Sequence, residues 1–432
     1  MYNNTLRRNT KEREQSKGIS IAKKESLISF SLLLFYLFLE YGRPQSVLPF
    51  LKVLRLSGIT IVLLALSVIS SGKIQLKEKQ TILYLFLLGL MVIHGPIAVN
   101  NYWALMVFIT MVMNFIVFLS LIHCVDDQDK YDRLLKAWLG IHVFLAIIGI
   151  VKHGTGIGGF LGDENDFCLV LNMVIPFPFF LAVTASGKKR IYYVALTCLF
   201  LFVIMLTGSR GGFIGLCTAF IYCWLRSKRK ILITFLVLVL SIFAYFVAPK
   251  TYGDRIRSIT EQGTSEGTGE ARVYTWNIGW HMFLDNPIIG VGQGNFPYVF
   301  GKYELEVTGS QEAFHGRSVA GRAAHSIYFT LLPELGLMGT IPFLLIILYT
   351  VKDLKHIKKI ALENKNTKAS FQEDRFYYTA LALEGSLITY LVSSVFISTL
   401  YYPNLWFLIG FIISYKKILV SKEENAASLS YA

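Results

Sequence analysis

The sequence predicts an all-α polytopic membrane protein with about twelve transmembrane helices and one long outward loop between the ninth and tenth. Three observations carry that prediction. Of the 432 residues, 54% are apolar and 16% charged, against about 25% charged in soluble domains. Apolar runs of roughly spanning length recur at 26–40, 53–71, 81–99, 103–122, 134–151, 167–185, 191–207, 211–225, 231–248, 326–350, 376–398 and 400–419, where a span needs about 20 residues. Lysine and arginine gather in alternate connections between those runs.

The charge pattern sets the orientation. The formal charge is +14, from 42 basic and 28 acidic residues. Thirty of the 42 basic residues lie in the N-terminal tail, in every second connection and after the last span. Short intervening connections hold only Arg43, Lys52, Arg55, Lys152 and Arg210, and the remaining seven lie in residues 249–325. This alternation is the positive-inside signature, with both termini cytoplasmic. It accounts for the net charge without a nucleic-acid partner. The resulting organisation is a basic tail at 1–25, spans one to nine within 26–248, an outward loop at 249–325, spans ten to twelve within 326–419 and a tail at 420–432.

The elements follow in order. The first run is followed by Glu40-Tyr-Gly-Arg43-Pro44 with no small-residue cleavage site, and so reads as an uncleaved helix. The five cysteines lie in or beside apolar runs without a ligand pair, as buried thiols do. In the long loop, Thr260 to Gly269 is rich in Gly, Ser, Thr and Glu and is expected to be mobile. The next segment, 270–284, places Val273, Trp276, Trp280 and Phe283 near one face, which predicts an amphipathic helix anchored at the membrane surface by its tryptophans. Asp285-Asn286-Pro287 ends it.

Four places could carry chemistry at an outer membrane–water boundary. The turn Thr207-Gly-Ser-Arg210-Gly-Gly212 offers glycine backbone amides and a guanidinium to a ligand; equally, it is a turn whose arginine reaches the lipid headgroups. Arg272 on the amphipathic helix faces the same choice between lipid phosphate and a specific ligand. His325, where the loop enters span ten, titrates near neutrality and can take a proton from a hydroxyl, or it is an interfacial histidine. Glu334 lies nine residues further, about 13 Å along a helix, too far to touch His325, and reads as a structural partner inside the membrane. Asp163, Glu164 and Asp166 suit a capped helix N-terminus better than a divalent metal site. The glycine runs Gly290-Val-Gly292-Gln-Gly294 and Gly154-Thr-Gly156-Ile-Gly158-Gly159 lack the context of a nucleotide loop.

Taken in order, these blocks resemble the O-antigen ligase and polymerase superfamily of bacterial envelope glycosyltransferases. The resemblance rests on Gly208-Ser-Arg210-Gly211, on Arg272 through Trp276 followed by Asn286-Pro-Ile-Ile-Gly290-Val-Gly-Gln-Gly294-Asn-Phe296, and on His325-Ser-x-Tyr328 followed by Glu334-x-Gly336-x-x-Gly339. It covers roughly residues 200–350. It implies transfer of a glycan from an undecaprenyl-type polyprenyl diphosphate to a hydroxyl at the periplasmic face of the bacterial inner membrane. The acceptor would be a lipid A-core, a glycan or a protein. No cofactor and no metal are implied. By position it gives His325 as general base and Arg210 and Arg272 as the diphosphate-binding pair, with Arg322 and Arg43 as helpers; the asparagine often found after the motif histidine is Ser326 here. The chemistry agrees with the residue types. Arginine supplies forked, permanently charged donors to a departing diphosphate, and a near-neutral histidine can deprotonate the incoming hydroxyl. Two alternatives keep the chemistry, a polysaccharide polymerase or a protein O-glycosylation ligase. A third, a flippase or transporter, draws on the intramembrane polar residues Asn114, His142, Asn172 and Glu384.

Overall fold

A computed structural model describes residues 26–71, 76–227, 230, 231, 234, 268–310, 314, 321–367 and 371–430. The basic tail, the ninth expected span at 231–248 and the first part of the long loop, including most of the Gly/Ser/Thr/Glu patch, fall almost wholly outside these residues. Every extended element among the described residues is a helix, as hydrocarbon demands of a chain that must satisfy its own backbone groups. The helices are α1 (residues 26–42), α2 (Leu56–Ser70), α3 (Lys79–Ile97), α4 (Asn101–Cys124), α5 (Gln128–Val151), α6 (Glu164–Val174), α7 (Pro176–Thr184), α8 (Gly187–Thr207) and α9 (Arg210–Arg226). Further along the chain come α10 (Thr268–Asp285), α11 (Phe296–Thr308), α12 (Ile327–Thr367), α13 (Phe371–Ser393) and α14 (Pro403–Ser430).

Nine of the described helical segments are long and apolar enough to cross a membrane. They match nine of the twelve expected runs. The difference has plain causes: α2 and α9 are shorter, at 15 and 17 residues, and the run at 231–248 lies outside the described residues apart from Ile231 and Thr234. The span Glu164–Thr184 is the most deeply buried. It is two helices, because Pro176 begins α7 where α6 stops.

Polar bonds collect at two ends of the bundle, and the ends separate the connections as the charge count does. At one end Lys416 reaches Glu78 at 2.6 Å and Asp353 at 3.1 Å. Arg375 there pairs with Asp132 at 2.9 Å. At the other end Arg43 meets Gly158, Asn100 meets Asn295, and Tyr402 meets Asp166. Between them, small residues let helices close up, the usual device where lipid removes the hydrophobic drive between helices. A side chain at Gly212 would sit 2.4 Å from Cys168 Sγ, and one at Gly215 would sit 2.6 Å from Asn172 Nδ2. Asn172 Nδ2 uses that closeness to donate to the Gly212 carbonyl at 2.8 Å.

The tenth expected span is not one regular helix. Gly336 in α12 has φ 57° and ψ −161°, outside the helical region, and the break strands backbone groups inside the bundle. Residues 287–292 take them up. The N–H groups of Val291 and Gly292 donate to the carbonyls of Pro333 (2.8 Å) and Glu334 (2.9 Å), and those of Leu337 and Met338 donate to Pro287 (2.8 Å) and Ile288 (2.9 Å). Part of the segment between α10 and α11 therefore folds back and pairs with the broken helix.

Candidate active site

The site forms where the N-termini of α6 and α9 meet α10 and the start of α12. Each helix start is capped. Asp163 Oδ1 accepts from Asn165 N at 2.8 Å, and Ser209 Oγ accepts from Gly212 N at 2.8 Å, which satisfies amides that a helix start leaves open. The caps are joined, since Ser209 Oγ also donates to Asn165 Oδ1 at 2.6 Å. Asp163 is thus a helix cap, as its position suggests; among the described residues no three His, Cys, Asp or Glu group as a metal site. Arg210 is the first residue of α9 and is exposed.

Helix α10 brings the second arginine. The Arg272 guanidinium carbon lies 5.9 Å from the Phe396 ring centre, within cation–π range. Phe396 Cβ in turn lies 3.8 Å from where a side chain at Gly211 would begin. One turn on, Trp276 stacks flat on Phe329 at 5.0 Å, and its Nε1–H donates to the Ala324 carbonyl at 2.8 Å. That bond holds the residue before His325. His325 has φ 47°, a left-handed conformation uncommon outside glycine and characteristic of constrained sites.

Electrostatics join the members. The Arg272 guanidinium is held below its ordinary pKa by burial and by Arg210, against which Asp163 acts. His325 is likewise held below 6.5, first by loss of water around it, then by Arg272 and more weakly by Arg322, with Asp163 opposing. His325 still has solvent access. The structure therefore brings together Arg210, Arg272, Arg322, His325 and Asp163. Arg43 stands apart. Its Nη1 donates to the Gly158 carbonyl at 3.1 Å, its Nε donates to the Glu40 carbonyl at 3.3 Å, and it lies over Phe160 at 5.1 Å, so it pins the 157–160 loop.

The segment before α12 is built for packing. The buried face of α10 is Thr275, Ile278, Gly279 and Met282, packed on α11 and α12; Val273 and Trp280, from the face expected to meet the membrane surface, are exposed, and Trp276 is half-buried. The glycine run at 290–294 has a structural task. Glu334 is buried in the bundle and accepts from Gly294 N (2.7 Å), Phe296 N (3.0 Å) and the Tyr401 hydroxyl (2.5 Å), confirming it as a structural partner. Gln293 Nε2 donates to the carbonyls of Met91 and Ala104, and its Oε1 faces His94 Nδ1 at 2.9 Å. These polar residues, with Asp163's reach toward His325, were missed as a set. Their signal in the sequence was the run of polar residues in a stretch otherwise fit for burial.

The fold and site define a polytopic helical membrane protein with a cationic cluster and a histidine at one mouth of its bundle. Residues 195–344, which hold Arg210, Arg272, Arg322, His325 and the broken helix, match the family model described as O-antigen ligase. In an alignment covering 65% of its length, the chain is 26% identical to the teichuronic acid biosynthesis protein TuaE of Bacillus subtilis (strain 168). The match spans 59% of that relative's length.

Proposed function

We propose that the protein is a glycosyltransferase that moves a glycan from a polyprenyl diphosphate to an acceptor hydroxyl at the outer face of a bacterial inner membrane. The observation that carries this reading is the meeting of Arg210, Arg272 and His325 within the matched residues. Arg210 acts on the Arg272 guanidinium, with Asp163 acting the other way; paired guanidiniums suit the charge of a departing diphosphate. His325, biased toward its neutral form, is ready to accept a proton.

In the reaction the acceptor oxygen bonds to the anomeric carbon while the bond from that carbon to the diphosphate breaks. The electron pair leaves on the diphosphate, where Arg210 and Arg272 neutralise it, and the hydroxyl proton passes to His325. Charge that a divalent ion could supply comes in this reading from the arginines. Arg322 adds positive charge at the rim; Arg43 serves the neighbouring loop.

The acceptor divides two readings of one chemistry. A lipid A-core acceptor makes a ligase, and the role the relative is named for, teichuronic acid biosynthesis, favours a growing glycan and so a polymerase. The transporter reading loses its main support, because the polar residues behind it serve packing. Asn114 donates to the Tyr401 carbonyl, His142 bonds the Trp138 carbonyl, and Glu384 accepts from Tyr222 and Lys358.

The test is purified protein in lipid nanodiscs with a polyprenyl diphosphate-linked glycan and candidate acceptors. Free polyprenyl diphosphate and a glycosylated acceptor are expected, with unchanged yield in excess chelator. A donor that stays intact with every acceptor class would overturn the reading.

A further inference from the structure

An exposed apolar stripe leads from the flank of a spanning helix to the cationic mouth; its interpretation rests on the glycan-transfer reading and deepens it. On α12, Leu337, Ile341, Leu344 and Leu348 are exposed, and their spacing puts them on one helix face within a segment long and apolar enough to cross a membrane. The break at Gly336 sets Ile288 against one end of that face. The Leu337 N–H donates to the Pro287 carbonyl and the Met338 N–H to the Ile288 carbonyl, while the Ile288 side chain is 62% exposed. Four residues back along the chain, α10 carries the stripe on. Leu284, Trp280 and Val273 are exposed on one side of that helix, with the exposed Asn277 between the last two. Arg272 is the next residue. Its guanidinium carbon lies 5.9 Å from the Phe396 ring centre, and Phe396 Cβ packs beside Gly211, the neighbour of Arg210.

Helix α10 is not among the helices apolar enough to span, so a membrane crossing does not explain the apolar residues on its outer side. A continuous band of exposed apolar surface marks a contact, and its two ends say with what. Along α12 the band opens to the hydrocarbon of the bilayer. At Val273 it closes on two arginines, which suit an anionic phosphate head. A ligand that fits both ends has a diphosphate head and a long apolar chain. Length separates the candidates. Val273 to Leu284 and Leu337 to Leu348 each run about 16 Å at 1.5 Å per residue, together roughly twice the hydrocarbon depth of one leaflet. A phospholipid tail is matched to one leaflet, whereas a chain of many isoprene units can follow the whole band. We infer that this stripe is the track on which the donor's polyprenyl chain lies while its diphosphate sits at Arg210 and Arg272.

The probe is polyprenyl diphosphate without a glycan, carrying a diazirine in its chain. It is photolysed with the full-length protein in nanodiscs of phosphatidylethanolamine and phosphatidylglycerol, and the labelled residues are mapped by mass spectrometry. Label is expected at Trp280, Leu284 and Ile288 and is lost when unlabelled polyprenyl diphosphate is added in excess. Label at these residues that the excess does not displace means contact with the bilayer alone and overturns the proposal, as does label confined to other helices. A second measurement uses Trp280→Ala combined with Leu284→Ala, which leaves the buried face of α10 in place. The KM of a glycan donor on a full-length polyprenyl chain should rise about tenfold, and that of a donor on a short geranyl chain should not move. An unchanged KM for the long-chain donor, or an equal rise for both donors, overturns the proposal. If the wild type transfers no glycan, the functional reading fails by itself while the photolabelling still decides where the chain lies.

Discussion

Gly336→Ala tests the broken helix on which the site is built. The new Cβ would lie 2.4 Å from the Ile288 oxygen, 2.6 Å from its carbonyl carbon and 2.7 Å from Gly290 N. All three are backbone atoms, so no side chain can turn aside. The residue would also hold φ 57° with an extended ψ, a region essentially restricted to glycine and costing about 1–3 kcal/mol. Relieving the clash pushes residues 287–292 off α12 and strains up to four backbone hydrogen bonds, each worth about 1 kcal/mol net. The expected loss is about 3–6 kcal/mol. Gly89→Ala in α3 is the control, because nothing lies within 4 Å of its added Cβ, and there alanine should help by about 0.5–1 kcal/mol. The assay is thermal unfolding of both variants in the same detergent, followed by tryptophan fluorescence. Allowing about 1–2 °C per kcal/mol for a chain larger than the usual reference domains, Gly336→Ala should melt roughly 5 °C below wild type and Gly89→Ala at or slightly above it. Equal melting of the two would refute the pairing of residues 287–292 with a broken α12.

Three further outcomes follow from the site. Arg272→Lys keeps the charge but loses the planar fork, so the donor KM should rise about tenfold with folding intact; a wild-type KM would remove Arg272 from the diphosphate. His325 must be neutral to accept a proton, and its surroundings hold its pKa below 6.5. The rate should therefore fall to half only below pH 6.5, and a half-point above 6.5 in a pH–rate profile would contradict the environment described. Arg43→Ala removes bonds to Gly158 and Glu40 and should lower the melting temperature without changing the donor KM; a selective rise in KM would return Arg43 to the diphosphate.

Most of the architecture was legible because hydrophobic length and basic-residue alternation act over the whole chain. Every expected span from 26 to 225 and from 326 to 419 has a described helix at its place, with α12 and α14 running on well past the expected ends. What periodicity hid was the interruption of α12. Leu335-Gly336-Leu337 is apolar enough to read as continuous helix, and the break becomes visible only when Gly290 and Gly336 are seen back to back. The site residues stood out for a different reason. Arg210 and Arg272 are basic residues on the side of the chain that otherwise avoids them, and His325 sits where a loop meets a span. Asp163 was read as a cap and is one; its pull on His325 depends on α10 and α12 arriving at the same mouth, which spacing along the chain does not reveal.

The measurement that bears most directly on the account compares wild type with His325→Ala in nanodiscs, using a polyprenyl diphosphate-linked glycan and the acceptor that wild type uses. Wild type should release polyprenyl diphosphate in step with glycosylated acceptor, and His325→Ala should lose at least about a hundredfold in kcat while the donor still binds. Transfer by His325→Ala at the wild-type rate would contradict the account.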